Sequence, residues 1–218
     1  MNNMSSINTC RRIVESMRYE MGVEPFLVQF VDHWAYLHSD LYPVPQGLIT
    51  DEFKEASIML SHQLAVLMIT GEEHDPLALL FSEFCKGTSS QYAFFPTTSD
   101  VSKLVCSLMM SDINVDGEMD TIYEPCVGTG GLTFQKIIAV TERRSHWKNP
   151  LGSLKVIVED VHPTAVKSFF IQVIFLLKFL SNRFSKNVYP DSIRISSVNV
   201  LTGEAKKINF QMDSPKLS

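Results

Sequence analysis

Apolar residues in the first part of the chain recur at helical spacing. Ile13, Met17 and Met21 line one face of Cys10–Met21, and Phe26–Leu37 is a strongly apolar run carrying His33 and Trp34. Pro43 and Pro45 break the pattern. Thr50 stands in an N-cap position, followed by Asp51 and Glu52, whose carboxylates suit the positive end of a helix dipole. That helix is predicted to reach Ile69 and to end at Gly71, and Asp75-Pro76 opens another that reaches Phe84. No strand pattern interrupts residues 1–88, which read as an α-helical lobe. Gly87–Ser90 is a small polar linker.

The period changes in residues 89–218. Asp100–Met110 is predicted helical. Thr121–Tyr123 is a short strand that runs into a Gly-rich turn, and Leu132–Thr141 is a helix. Arg143–Gly152 reads as a polar loop. Lys155–Glu159 is a strand with Val156, Ile157 and Val158 at its centre, Pro163–Leu180 a helix and Ile193–Val198 a third strand. Strands alternating with helices predict an α/β fold built on a parallel sheet.

Composition narrows the classes. Apolar residues make up 45% of the 218 residues and charged residues 20%, as in ordinary globular proteins. The most apolar stretch, Ala165–Leu180, is interrupted by Lys167, Gln172 and Lys178 and is shorter than the roughly 20 residues that span a bilayer. It reads as a buried helix, and no membrane partner is expected. No secretory signal opens the chain, and the four cysteines form no CxxC pair, so a reducing cytoplasm is the expected setting. Residues 1–90 carry five basic and twelve acidic side chains, and residues 91–218 carry fourteen and twelve. The first part therefore repels phosphate on average and is not expected to grip a nucleic-acid duplex.

The Gly-rich turn carries the candidate chemistry. A parallel strand feeding such a turn and then a helix makes a ligand pocket at the strand's carboxyl end. Gly128 and Gly130 allow a sharp turn and close approach of a ligand, and Gly131 is expected to let the following helix sit near the strand. The sequence Gly128-Thr129-Gly130-Gly131 is not the dinucleotide GxGxxG pattern, and Gly-rich turns also follow strands where nothing binds. The acids Glu159 and Asp160 end the second strand, where a Rossmann fold binds ribose hydroxyls; the same acids also fit a plain exposed strand end.

Together these segments resemble the N6-adenine DNA methylases of the type I modification-subunit kind. Their cofactor loop reads D-P-A-C-G-T-G-G, against Glu124-Pro125-Cys126-Val127-Gly128-Thr129-Gly130-Gly131. Their Q-E-I-N-P-T segment corresponds to Glu159–Thr164, which makes Asp160 the ribose acid. Nine residues past that proline the family often has Asn, and Gln172 stands there. Their F-T-P motif corresponds to Phe94-Phe95-Pro96-Thr97, with Phe95 in the place of Thr and Thr97 as the alternative hydroxyl. Their G-D-T-L or G-N-T-L corresponds to Val198-Asn199-Val200-Leu201.

The resemblance implies a Rossmann-like S-adenosylmethionine (SAM) methyltransferase core with a partial parallel sheet. It implies SAM binding by Phe94, Pro96, Thr97, Glu124, Pro125, Gly128–Gly131, Asp160, Asn199 and Leu201. Glu124 would face the amino end of SAM, and Asn199 the adenine ring. DNA is the implied substrate, reached with a second methylase or specificity subunit.

The family also needs N-P-P-Y or D-P-P-F on a fourth strand, where Asn or Asp orients the adenine amino group and an aromatic ring stacks on the flipped base. In this chain Phe210 stands where that strand should begin. Asp213-Ser214-Pro215-Lys216 is only a degenerate match, in which Lys216 replaces the ring, and a C-terminal tail is the simpler reading of Ile208–Ser218. Activity of the chain alone is therefore not expected. It is either part of a restriction-modification methylase or a catalytically inactive methylase-like binding or anti-restriction protein.

Elsewhere, Glu72-Glu73-His74-Asp75 reads as a solvated turn, since four adjacent residues cannot converge on one ion, and no metal is expected. His33, His38 and His62 read as ordinary surface or core residues, and Cys126 as a packed loop residue. Arg143–Lys148 is basic with one aromatic, a solvated loop that could also touch nucleic acid.

Overall fold

A computed structural model describes residues 6–47, 49–85, 97, 99–109 and 120–213. Among these residues the chain is an α/β structure of seven helices and a four-stranded mixed sheet. The first four helices are α1 (Ser6–Ser16), α2 (Val23–His38), α3 (Asp51–Thr70) and α4 (Pro76–Phe84), followed by α5 (Ser99–Met109). Strand β1 (Asp120–Glu124) leads to α6 (Gly131–Arg143), β2 (Leu154–Asp160) to α7 (Pro163–Phe184), and β3 (Ser192–Asn199) to β4 (Glu204–Asp213). The boundary expected between residues 88 and 89 lies outside the described residues.

Local signals set several helix ends. The Thr50 hydroxyl accepts from Phe53 N at 3.1 Å, and Gly71 closes α3 in the left-handed region at φ 76°. Asp75 caps α4, with Pro76 in its first turn. The first helix ends earlier than its apolar spacing predicts. After Ser16 the chain closes in turns, with Met17 N bonding the Val14 carbonyl at 3.1 Å and Gly22 adopting φ 87°.

The sheet order is β1-β2-β3-β4, with β1, β2 and β3 parallel. Here the expectation for the chain's end is corrected. Residues 204–213 are not a tail, and Phe210 does not begin a fourth parallel strand. β4 runs antiparallel to β3 as a hairpin, with Phe210 opposite Ile195 and Asp213 opposite Ser192. The cause is long-range packing: Phe210 is buried, its ring 4.5 Å from Phe170 and stacked on Tyr42 at 6.1 Å. Burying one such side chain is worth about 2 kcal/mol, enough to hold a short strand on a sheet edge.

The helix α7 joins the two parts of the molecule. It is 22 residues long, against the 18 of the predicted Pro163–Leu180, and is long and apolar enough to cross a membrane by composition. It is nevertheless an interior helix, as expected, with 78% of its most apolar window buried inside the protein. It packs on α2 and α3 as well as on β2 and β3. Phe175 meets Trp34 at 5.5 Å, and Phe169 stacks on Phe134 at 5.4 Å. One apolar core therefore runs from the helical lobe to the sheet.

The opposite sheet face is more open than parallel sheets usually are. Across it run Tyr123, Ile157, Arg194 and Gln211, of which only Ile157 is not exposed. These side chains are mostly polar, so that face tolerates water.

The basic segment after α6 is also corrected. Arg144 is not solvated: it is fully buried, ion-paired with Asp120, and lies 4.9 Å over the Trp147 ring. A buried guanidinium is stable only with such partners, and removing one leaves a costly unpaired charge. Arg144 is therefore unavailable to nucleic acid.

Candidate functional site

At the carboxyl end of β1 the chain turns through Pro125–Gly130 into α6. The turn is an extension of the sheet: Val127 N bonds the Glu159 carbonyl at 3.0 Å, continuing the β1–β2 pairing. Gly130 N then returns to the Val127 carbonyl at 3.0 Å, and Phe134 N starts α6 on the Gly130 carbonyl at 2.8 Å.

The glycines have different reasons. Gly128 has φ 57°, and a Cβ placed there would meet nothing within 4 Å. Gly130 has φ 120°, and a Cβ there would run into the buried Phe134 ring. Gly131 needs no unusual φ. Its missing Cβ leaves room for Asp75 Oδ2, which would lie 3.1 Å from it. The expected reason for Gly131, close approach of helix and strand, is thus replaced by close approach of a carboxylate from the helical lobe.

Asp160 grips the loop from the sheet side. Its Oδ2 accepts from Gly128 N at 2.9 Å and its Oδ1 from His162 N at 2.9 Å. A carboxylate offers about four acceptor positions, so each oxygen retains capacity for another donor. Tyr123 donates from its hydroxyl to Glu159 Oε2 at 2.8 Å, which occupies the neighbouring acid. Glu124 accepts from the Thr133 hydroxyl in the first turn of α6, and burial holds its carboxyl above the usual range.

The β2–β3 register sets Asp160 beside Ser197, two residues before Asn199. The Asn199 Oδ1 accepts from Leu201 N at 3.1 Å and its carbonyl from Gly203 N at 2.7 Å, so it shapes the β3–β4 turn. Leu201, at the tip, is 95% exposed. Glu124, Gly128, Asp160, Asn199 and Leu201 thus share the carboxyl end of the parallel strands. Pro125 is exposed, and so is Cys126, contrary to the packed position expected of it. Thr97 is exposed, with its carbonyl 3.7 Å from the Cβ position of Gly131. Phe94 and Pro96 lie outside the described residues.

Asp213 is not part of this group. It pairs with Ser192 at the amino end of β3, the opposite end of the sheet from Asp160. The structure therefore does not bring Asp213, half of the degenerate match, to the cofactor loop, and Pro215 lies outside the described residues.

The structure adds a residue that the sequence reading set aside. Asp75 is not on a solvated turn. Its Oδ2 accepts from the Thr129 hydroxyl at 2.8 Å, and its Oδ1 from Gln172 Nε2 at 2.9 Å and from Ala78 N at 3.3 Å. Gln172 also donates to the Thr129 carbonyl at 3.0 Å and accepts from Leu77 N at 3.0 Å. Burial raises the Asp75 pKa from 3.8 to about 6, against the lowering effect of these bonds, and the Glu73 carboxylate adds to the rise. Asp75, His74, Thr97, Ser102, Gly131 and Phe134 help line a pocket of about 200 Å³. The pairing of Asp75 with Pro76 signalled a helix cap; nothing local signalled its second task.

No family model and no curated protein matches the chain. Among solved structures it is similar to the crystal structure of the type I restriction-modification system methyltransferase subunit from Streptococcus thermophilus. The match has 15% sequence identity and a TM-score of 0.36, and covers 84% of this chain and 38% of that one.

Proposed function

We propose that this chain is the SAM-binding portion of a methyltransferase of the N6-adenine DNA methylase kind, acting in a restriction-modification context. The observation that carries the reading is the bond from Gly128 N to Asp160, which joins the Gly-rich turn and the strand-end acid into one site. The residues fit the cofactor in chemistry. Asp160 keeps acceptor capacity for two ribose hydroxyls, Gly128 has open space where a Cβ would stand, and apolar Val161 and Leu201 are exposed at the same sheet end.

In this reading Asp160 binds the ribose, Glu124 and Thr97 face the methionine end, and Gly128–Gly131 form the floor. Asn199 and Leu201 border the adenine ring. When bound, SAM would supply an electrophilic sulfonium methyl. The chain's part is to bind it and fix its orientation for in-line transfer.

Among the described residues the acceptor half of the reaction has no assigned group, since Asp213 lies at the far end of the sheet. In this reading the base-orienting residues and the DNA contacts come from outside the described residues, as from a second methylase or specificity subunit. The net negative charge of residues 1–90 fits a role away from the phosphate backbone. The second reading, a catalytically inactive methylase-like binding or anti-restriction subunit, is favoured by the same position of Asp213.

Calorimetric titration with SAM tests the proposal. Wild type should bind, and Asp160→Ala should weaken binding by about tenfold or more, the effect of losing bonds to a charged group. No heat with wild type, or equal affinity in the variant, defeats the cofactor reading. Methyl transfer to an adenine-containing duplex by the purified chain would defeat the dependence on a partner.

A further inference from the structure

The proposed cofactor loop is bonded to the helical lobe as well as to the sheet. Thr129, the central residue of the loop, is buried, and both its side-chain and carbonyl oxygens are engaged. The hydroxyl donates to Asp75, and the carbonyl accepts from Gln172. Gln172 is fully buried in α7 and has no freedom to choose other partners: its Nε2 serves Asp75 and Thr129, and its Oε1 takes the Leu77 amide. The three side chains come from the α3–α4 turn, the loop and α7, and form one closed network. The missing Cβ of Gly131 is what admits Asp75 to it.

We infer that Asp75 is a positioning residue for the cofactor loop, by which the helical lobe fixes the backbone of Thr129 and Gly130 in the form that receives the ligand. The inference rests on the proposed SAM reading for its purpose but not for its physics. Burial supplies the strength of the network, because a buried acceptor or donor left without a partner costs far more than an exposed one. Asp75 acts through the Thr129 hydroxyl, whereas Asp160 acts through the Gly128 amide.

Hydrogen exchange on the full chain without ligand tests this directly. The reporters are the amides of Gly128 and Gly130, which are bonded to Asp160 and Val127. In Asp75→Ala these should exchange about tenfold faster, and in Thr129→Val by a similar factor, while Val156 and Val158 in β2 stay within about twofold of wild type. Asp75→Asn should restore near-wild-type protection, because its amide oxygen still accepts from Gln172 and its NH2 can donate to the Thr129 hydroxyl. SAM affinity should follow the loop protection: weakened in Asp75→Ala and recovered in Asp75→Asn.

Unchanged loop exchange in Asp75→Ala overturns the inference. So does equal loss at loop and strand amides, which would mark Asp75 as a general stability residue. Absence of SAM binding in wild type counts against the cofactor reading alone, since the exchange measurement is made without ligand.

Discussion

Two carboxylates from different parts of the fold hold the same loop, and they differ in almost every other respect. Asp160 belongs to the sheet, binds the Gly128 amide and retains acceptor capacity, and a Cβ at Gly128 would meet open space. Asp75 belongs to the helical lobe and accepts from three protein donors, the Thr129 hydroxyl, Gln172 Nε2 and Ala78 N. One grip can accept something more, and the other is engaged within the protein. A cofactor loop needs both properties, because a preorganised backbone binds without the entropic cost of ordering itself.

The most severe way to break this arrangement is at the residue between the two grips. Gly130→Ala places a side chain at φ 120° and drives it into the buried Phe134 ring. Strain and overpacking add, and the expected loss of stability is about 4 kcal/mol. Urea unfolding of the purified variant measures it. A loss under about 1 kcal/mol would mean that the loop yields easily and that neither carboxylate fixes it.

Titration sharpens the lobe side. Burial raises the Asp75 pKa from 3.8 to about 6, so the native state takes up a proton that the unfolded chain does not hold in that interval. The group's contribution therefore favours folding at low pH and is lost as pH rises through the folded value, by up to about 3 kcal/mol. The amide introduced by Asp75→Asn cannot ionise. The difference in unfolding free energy between wild type and this variant should shift against wild type between about pH 4 and 7.5. A flat difference would mean that burial does not raise the Asp75 carboxyl in the folded chain.

The asymmetry between the two carboxylates also explains what could be read from the sequence. The placement of Asp160 beside the loop was legible because it is local: Asp160 ends a strand, and its loop partner lies at the end of the neighbouring strand. The caps at Thr50 and Asp75 and the left-handed Gly71 were legible for the same reason, since each is decided within one turn of chain. The second role of Asp75 joins it to Thr129 across 54 residues and to Gln172 across 97, and no local pattern encodes such a meeting. The β3–β4 hairpin was missed similarly, because Phe210 is placed by Tyr42 and Phe170 rather than by its neighbours. Arg144 looked like part of a solvated basic loop, and only the fold brings Asp120 to it. The proline match at Pro163 did point to Gln172, although as a family position and not as a member of the network.

The smallest expected effect is also the sharpest test of the open side. Gly128 adopts φ 57°, which ordinary residues reach at a cost of about 1–2 kcal/mol, and its Cβ position is free. Gly128→Ala should therefore cost about 1 kcal/mol in unfolding experiments, and Gly128→Asn less, since Asn tolerates this region better. If the open space belongs to SAM, the same two variants should lose SAM affinity by more than their stability accounts for, with the larger Asn losing more. Stability and binding would then rank the two variants in opposite orders. A structural glycine gives the same order in both measurements, so the crossing of the two rankings is what separates a ligand-facing glycine from one that only turns the chain.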